Sequence, residues 1–148
     1  MLWRRKKQVY MVLRDVAKAF DKVWHNGLKY KIVRMGLPHL LAKILCNFLD
    51  KRTAKINFVS EYSNVINLLS GVPQGSVLSP TLYTLFTNDL PSPAHCCLDT
   101  MYADDVTQII TSPSKSKHMM EIKVEREIER INKFERLWKL KPVKKNFK

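Results

Sequence analysis

Apolar and polar positions change rhythm several times along the chain. In "QVYMVLRDV" (8–16) they alternate weakly among β-forming side chains, which predicts a first strand, with Arg14 the one charge out of character in it. "KAFDKVWHNGLKYKIVRM" follows with helical spacing and a candidate break at Gly27, and "GLP" at 36–38 ends it. Leu40, Leu41, Ile44, Leu45, Phe48 and Leu49 then recur at helical spacing, as one buried stripe would. "TAKINFVS" and "SNVINLLS" read as two strands of a hairpin joined around Glu61–Ser63. "GVPQGSVLSP" (71–80), with two Gly and two Pro, reads as a loop. "PTLYTLFTNDL" reads as a helix with Pro80 near its start.

Two further strands, "CCLDTMYA" and "VTQIIT", flank "ADDV" and make it a hairpin tip. The longest helix follows in "SPSKSKHMMEIKVEREIERINKFERLWKL", reaching about 35 Å at 1.5 Å per residue. Met120, Val124, Ile128, Ile131 and Trp138 form its expected core stripe, with Glu, Arg and Lys on the other face. The basic residues 139–148 are expected to fray. The order β-α-α-β-β-α-β-β-α lacks the rhythm of a doubly wound sheet. It predicts an α+β fold, with a mainly antiparallel sheet covered by helices on one face.

Length and composition narrow the function classes. A chain of 148 residues with 45% apolar content suits one packed domain rather than a disordered chain. The net charge of +13 favours polyanionic partners, nucleic acid first. No apolar run approaches the roughly 18 residues that cross a bilayer, and the basic start lacks a signal peptide's apolar stretch and cleavage site. Cys46, Cys96 and Cys97 form neither a disulfide framework nor a spaced zinc motif. These features predict reduced thiols in an intracellular protein, nuclear or cytoplasmic and not secreted, with no membrane partner. His25, His39, His95 and His118 are scattered, and no phosphate-binding glycine loop is present.

The adjacent Asp104 and Asp105 are the unusual feature. Alone, such a pair is common turn chemistry, because Asp bonds nearby backbone amides. Asp15 at the end of the first strand changes the reading. If that strand lies beside the hairpin, three carboxylates meet at one sheet edge. A divalent cation makes such a cluster favourable, and hard oxygen ligands suit Mg²⁺. Two such ions about 3.5–4 Å apart can clamp the attacking and leaving oxygens of a phosphoryl transfer.

At this point the motifs resemble a known family. "DVAKAFDKVWH", "GVPQGSVLSP" and "YADD" between strands, with "GLKYKI", "TNDLP" and "WKLK", look like the reverse transcriptases of non-LTR retrotransposons, especially the jockey-like group of arthropods. The likeness runs from about Val9 to Lys141. It implies a polymerase palm, an RNA template, a DNA primer and deoxynucleoside triphosphates, with two Mg²⁺ ions as cofactor and Mn²⁺ as an alternative. It also implies roles. Asp15 and Asp104 match the two aspartates that bridge both ions, and Asp105 the more peripheral third. Phe20 matches the aromatic under the incoming sugar that excludes a 2′-hydroxyl. Gln74 and Gly75 match the nucleotide-contacting loop, and Tyr102 matches the residue against the primer end.

The sequence also departs from the family. Arg14 stands where relatives carry an apolar residue, and a lone buried guanidinium is costly. It is therefore expected to pair with an acidic residue or reach solvent at an edge, so that Arg14→Leu would be neutral or stabilising. "KPVKKNFK" replaces the expected Asn and "KT" before another strand. Most of the fingers and the thumb are missing, so the chain reads as a single partial domain over 1–148 from a longer parent protein. Two function classes remain: a polymerase palm, weak or inactive as this fragment, or a catalytically inactive remnant that binds nucleic acid non-specifically.

Overall fold

The computed structural model describes residues 8–112 and 116–142. Its elements in chain order are β1 (Gln8–Arg14), a 3-10 turn (Phe20–Lys22), α1 (His25–Arg34), α2 (His39–Leu49), β2 (Thr53–Ala54), β3 (Asn57–Phe58), β4 (Glu61–Tyr62), β5 (Ile66–Asn67), α3 (Leu78–Thr87), β6 (Cys97–Tyr102), β7 (Asp105–Ser112) and α4 (Lys117–Leu137). The described residues gather into two compact units. One runs up to Ala17 and resumes at Asp89; the other is Lys18–Asn88.

In the first unit β1, β7 and β6 form a three-stranded antiparallel sheet in that order. The register pairs Arg14 with Val106 and Val12 with Gln108 on one side, and Met101 with Val106 on the other. Directly opposed residues share a face. Val106, Gln108, Ile110 and Ser112 of β7 are buried, and their face is the one that α4 covers. The α+β expectation, with an antiparallel sheet and helical cover on one face, holds. Ser116 caps α4, its hydroxyl accepting from Met119 N at 3.4 Å.

The buried side of α4 differs from the apolar stripe read from the sequence. Met120, Ile131 and Trp138 are buried as expected, but Glu127, Phe134 and Glu135 join them, and Val124 and Ile128 are only half-buried. Two carboxylates sit inside because each meets a cation. Arg130 Nε bonds Glu127 Oε2 at 2.9 Å, while its Nη2 bonds Asp99 of β6. Arg14 Nη2 donates to Glu135 Oε2 at 2.8 Å and to Asn132 Oδ1 at 2.7 Å. The expected acidic partner of Arg14 is therefore Glu135, not a candidate catalytic aspartate.

Helix α4 ends in a two-bond C-terminal cap. Leu140 N donates to Glu135 O at 2.8 Å, and Lys139 N to Arg136 O at 3.3 Å, with Lys139 in the left-handed region at φ 59°. The chain then turns to meet the end of β1. Val16 bridges to Pro142, and Ala17 N donates to Lys141 O at 2.9 Å. Of the stretch expected to fray, 143–148 lies outside the described residues, while Leu140 is buried.

The second unit is built on α1, α2 and α3. Val23, Leu28, Ile32, Leu49, Leu82 and Phe86 form its centre. Gly27 does not divide the helix. It lies inside α1, where an added Cβ would meet the Trp24 ring at 2.5 Å. Lys31 is buried, yet its ammonium donates to Phe86 O in the last turn of α3 and lies 4.9 Å from the Phe86 ring centroid.

Three expectations change in this unit. The helix read over 18–35 starts only at His25, after the 3-10 turn and an extended Trp24 that bridges Ser70. Only Leu45 and Leu49 of the α2 stripe are buried, whereas Leu40, Leu41 and Ile44 are exposed. The apolar arc of α2 is wider than the strip its neighbours cover. The hairpin turns at Val59–Ser60, with both φ values positive at 46° and 69°, rather than around Glu61–Ser63. Positive φ at both central residues is the signature of a I′ turn, which neither side chain advertises.

Candidate active site

The hairpin tip is set by pairing. Tyr102 pairs with Asp105, leaving Ala103 and Asp104 as a two-residue turn. Ala103 carries φ 52°, while Asp104 is not among the residues with positive φ, a sign pattern of the II′ family. Asp104 is half-buried and Asp105 exposed. The β1–β7 ladder ends at Arg14 opposite Val106, so Asp15 follows at the end of β1 on the side of the hairpin tip. Asp15, Asp104 and Asp105 thus lie at one end of one sheet, with Asp15 half-buried.

Alternation along the strand resolves the worry about Arg14. Its guanidinium points to the α4 face, where it meets Glu135 and Asn132. Asp15, the next residue, belongs to the opposite face, as do Tyr102 and Asp105. Exposed Met11, Leu13 and Leu98 continue that face away from the turn.

The donor set suits a hard divalent cation: carboxylate oxygens at a solvent-reachable sheet end. Among the described residues no three His, Cys, Asp or Glu side chains gather into a ready cage. An ion here would depend on oxygens brought by substrate, the way Mg²⁺ commonly binds beside phosphates. The three aspartates thus share a sheet end without forming the close three-carboxylate cluster that the sequence predicts.

Phe20, Gln74 and Gly75 belong to the second unit, where backbone bonds tie them together. Val72 N donates to Phe20 O at 2.8 Å, Gly71 N to Val23 O at 2.9 Å, and the Ser70 hydroxyl to Asp21 O at 3.1 Å. The Phe20 ring packs on Tyr83 with centroids 4.9 Å apart. Gln74 Nε2 donates to Asp21 Oδ1 at 2.8 Å. A carboxylate only accepts, so the amide must turn its nitrogen to Asp21 and leave its oxygen free. Gly75 has φ 85°, and a Cβ added there would meet nothing within 4 Å, an open approach for a ligand. Sequence reasoning singled out Phe20 and passed over Asp21 beside it. Next door, His25 Nε2 donates to Gly71 O at 2.7 Å, a structural role.

Comparison with known proteins agrees with the motif likeness. The family model described as reverse transcriptase (RNA-dependent DNA polymerase) matches residues 1–144. The RNA-directed DNA polymerase from mobile element jockey of Drosophila melanogaster is 38% identical over 107 residues, 68% of this chain and 12% of that protein. The probable RNA-directed DNA polymerase from transposon X-element of the same species is 40% identical over 109 residues, 70% of this chain and 12% of that protein. The chain thus spans about an eighth of the length of these relatives. Among solved structures, apo telomerase from Candida tropicalis, truncated from its C-terminal domain, superposes with a TM-score of 0.59 at 18% identity. That match covers 82% of this chain and 27% of the telomerase chain, and it speaks for the fold alone.

Proposed function

The chain belongs to the reverse transcriptase family, and from that premise we propose that it is the palm segment of an RNA-directed DNA polymerase that extends a DNA primer on an RNA template. One observation carries the reading: the hairpin with Asp104 and Asp105 sits at the sheet end to which β1 delivers Asp15, 89 positions earlier in the chain. Asp15 and Asp104 would hold the divalent cations, Mg²⁺ or Mn²⁺, with Asp105 at the periphery. When bound, two such ions acidify the primer 3′-hydroxyl and neutralise the leaving pyrophosphate.

The remaining work falls to positioning and exclusion. The Phe20 ring, which packs on Tyr83, would lie under a deoxyribose and collide with a 2′-hydroxyl. Gln74 presents its amide oxygen to the nucleotide while Asp21 holds the nitrogen. Gly75 lets the backbone approach, and Tyr102, 83% exposed, rests against the primer end. The excess Lys and Arg hold the template–primer phosphates without reading sequence.

Primer extension tests the proposal. The 148-residue chain should bind RNA and DNA with affinity that falls steeply with salt, and should extend a primer near background, since a misplacement of about 1 Å can cost roughly a hundredfold. Joined to the fingers and thumb of a jockey-like element, it should extend, and Asp104→Asn should abolish extension. Equal extension with Asp104→Asn sinks the site assignment. Binding without extension in the joined enzyme favours a remnant that only binds nucleic acid.

A further inference from the structure

The salient unexplained feature is a charged pair where an apolar strand–helix contact would serve. Arg14 and Glu135 have side chains only 10% and 5% exposed, and Arg14 also reaches Asn132 Oδ1 at 2.7 Å and Ile128 O at 3.4 Å. A buried pair of this kind is often no more stabilising than hydrophobic residues of similar volume. Its geometry is more informative than its energy. Arg14 is the residue before Asp15. Glu135 also lies in the last turn of α4, where its carbonyl accepts the Leu140 N–H that closes the cap. That cap redirects the chain so that Pro142 bridges Val16 and Lys141 O accepts from Ala17 N. One glutamate therefore governs both tethers: its side chain fixes residue 14, and its backbone sets the turn that fixes residues 16 and 17. Asp15 lies between them.

We propose that Glu135 is a positioning residue for Asp15, acting through Arg14 on one side and through the α4 cap on the other. The inference deepens the polymerase reading, because its functional meaning rests on Asp15 as a metal ligand. Mechanically it stands without that reading. Two tethers from one helix end leave Asp15 little freedom to slide along the β1–β7 register, so its carboxylate stays at the level of Asp105 and the turn. With only the backbone tether, residue 14 can shift against α4, and the Ala17–Lys141 bond opens more often.

Amide hydrogen exchange on the full 148-residue chain, resolved by NMR, reads this directly. In Glu135→Gln, the Ala17 amide should exchange at least about tenfold faster relative to the β7 amides, which report opening of the sheet as a whole. Glu135→Asp should show the same selective effect more weakly, since the carboxylate is kept but shortened. Arg14→Met/Glu135→Leu, which refills the contact with apolar volume, should return Ala17 towards wild type. Mn²⁺ titrated into the same samples should broaden Asp15, Asp104 and Asp105 amides in the wild type. In Glu135→Gln it should broaden Asp104 and Asp105 while losing at least half the effect at Asp15. Unchanged Ala17 exchange in folded Glu135→Gln overturns the proposal. So does an Ala17 change that matches the β7 amides, which means a merely structural role. Absence of Mn²⁺ broadening in the wild type with selective Ala17 exchange intact leaves the positioning role standing and removes the metal reading instead.

Discussion

Gly71 is seated against the backbone of Asp21: a Cβ on Gly71 would lie 2.9 Å from Asp21 O and 3.0 Å from Asp21 Cα. This approach, together with φ 88°, lets the segment before Gln74 bond to the segment after Phe20. Gly71→Ala should cost more than the roughly 1–3 kcal/mol of a strained backbone, because backbone atoms must also move. Gly75→Ala, with φ 85° and open space, should cost only about 1–2 kcal/mol. Urea unfolding of the two variants decides it, and equal losses would contradict the packing argument.

Asp21 holds the Gln74 amide nitrogen from an exposed position. Asp21→Ala should therefore change stability by no more than about 1 kcal/mol. In a polymerase containing this segment it should raise the KM for deoxynucleotides several-fold and leave kcat near wild type, the mark of lost ground-state binding. A fall in kcat at constant KM would count against this role.

Arg14→Leu reverses an expectation drawn from sequence. With the partner unknown, removing the charge promises a neutral or stabilising change. The pair with Glu135 makes it destabilising by about 3–5 kcal/mol, since a buried carboxylate is left behind. Arg14→Leu/Glu135→Leu should recover most of that loss in chemical denaturation, and a double variant as unstable as the single would refute the explanation.

Burial pushes the Glu135 carboxyl above its ordinary 4.5, and the facing Arg14 guanidinium, by charge and hydrogen bond, offsets only part of this. The folded state then holds the proton more tightly than the unfolded one. The stability tied to that proton is fully present below about pH 4.5 and is lost as pH rises through the elevated value. Relative to Glu135→Gln, the wild type should lose stability with rising pH in that window and run parallel above it. Glu129 moves the other way. Hydrogen bonds from Arg136 and Asn132 lower its value, so its contribution is lost as pH falls. A wild-type curve parallel to Glu135→Gln throughout would remove the buried-carboxylate account.

How much of the fold is legible in the sequence depends on the range of the interaction. The β6–β7 hairpin is legible because alternation and a turn lie within a few residues of each other. The need of Arg14 for an acidic partner is legible too, but not the partner, which lies 121 positions away. Glu127 and Glu135 look like surface residues because charge normally marks the wet side of a helix; Arg130 lies one turn along α4 from Glu127, but only the fold brings Arg14 to Glu135 and seats Arg130 on Asp99 of β6. The turn at Val59–Ser60 escapes notice because it lacks the Gly or Asn that its φ values favour. Phe20, Gln74 and Gly75 emerge through motif likeness rather than local physics. The Asp21–Gln74 bond, spanning 53 positions, gives no local sign.

The half-bare stripe of α2 governs how the molecule behaves in a tube. Leu40, Leu41 and Ile44 face water, and Val33 of α1 is exposed as well. Copies carrying +13 each repel at long range, so in dilute buffer these greasy surfaces stay apart. At about 0.1 M salt the screening length shrinks to roughly 10 Å, and the repulsion no longer reaches beyond near contact. Adding salt should therefore drive self-association of this chain even as it releases nucleic acid. Light scattering against ionic strength should rise where a simple basic protein stays flat, and the chain should keep best at low ionic strength.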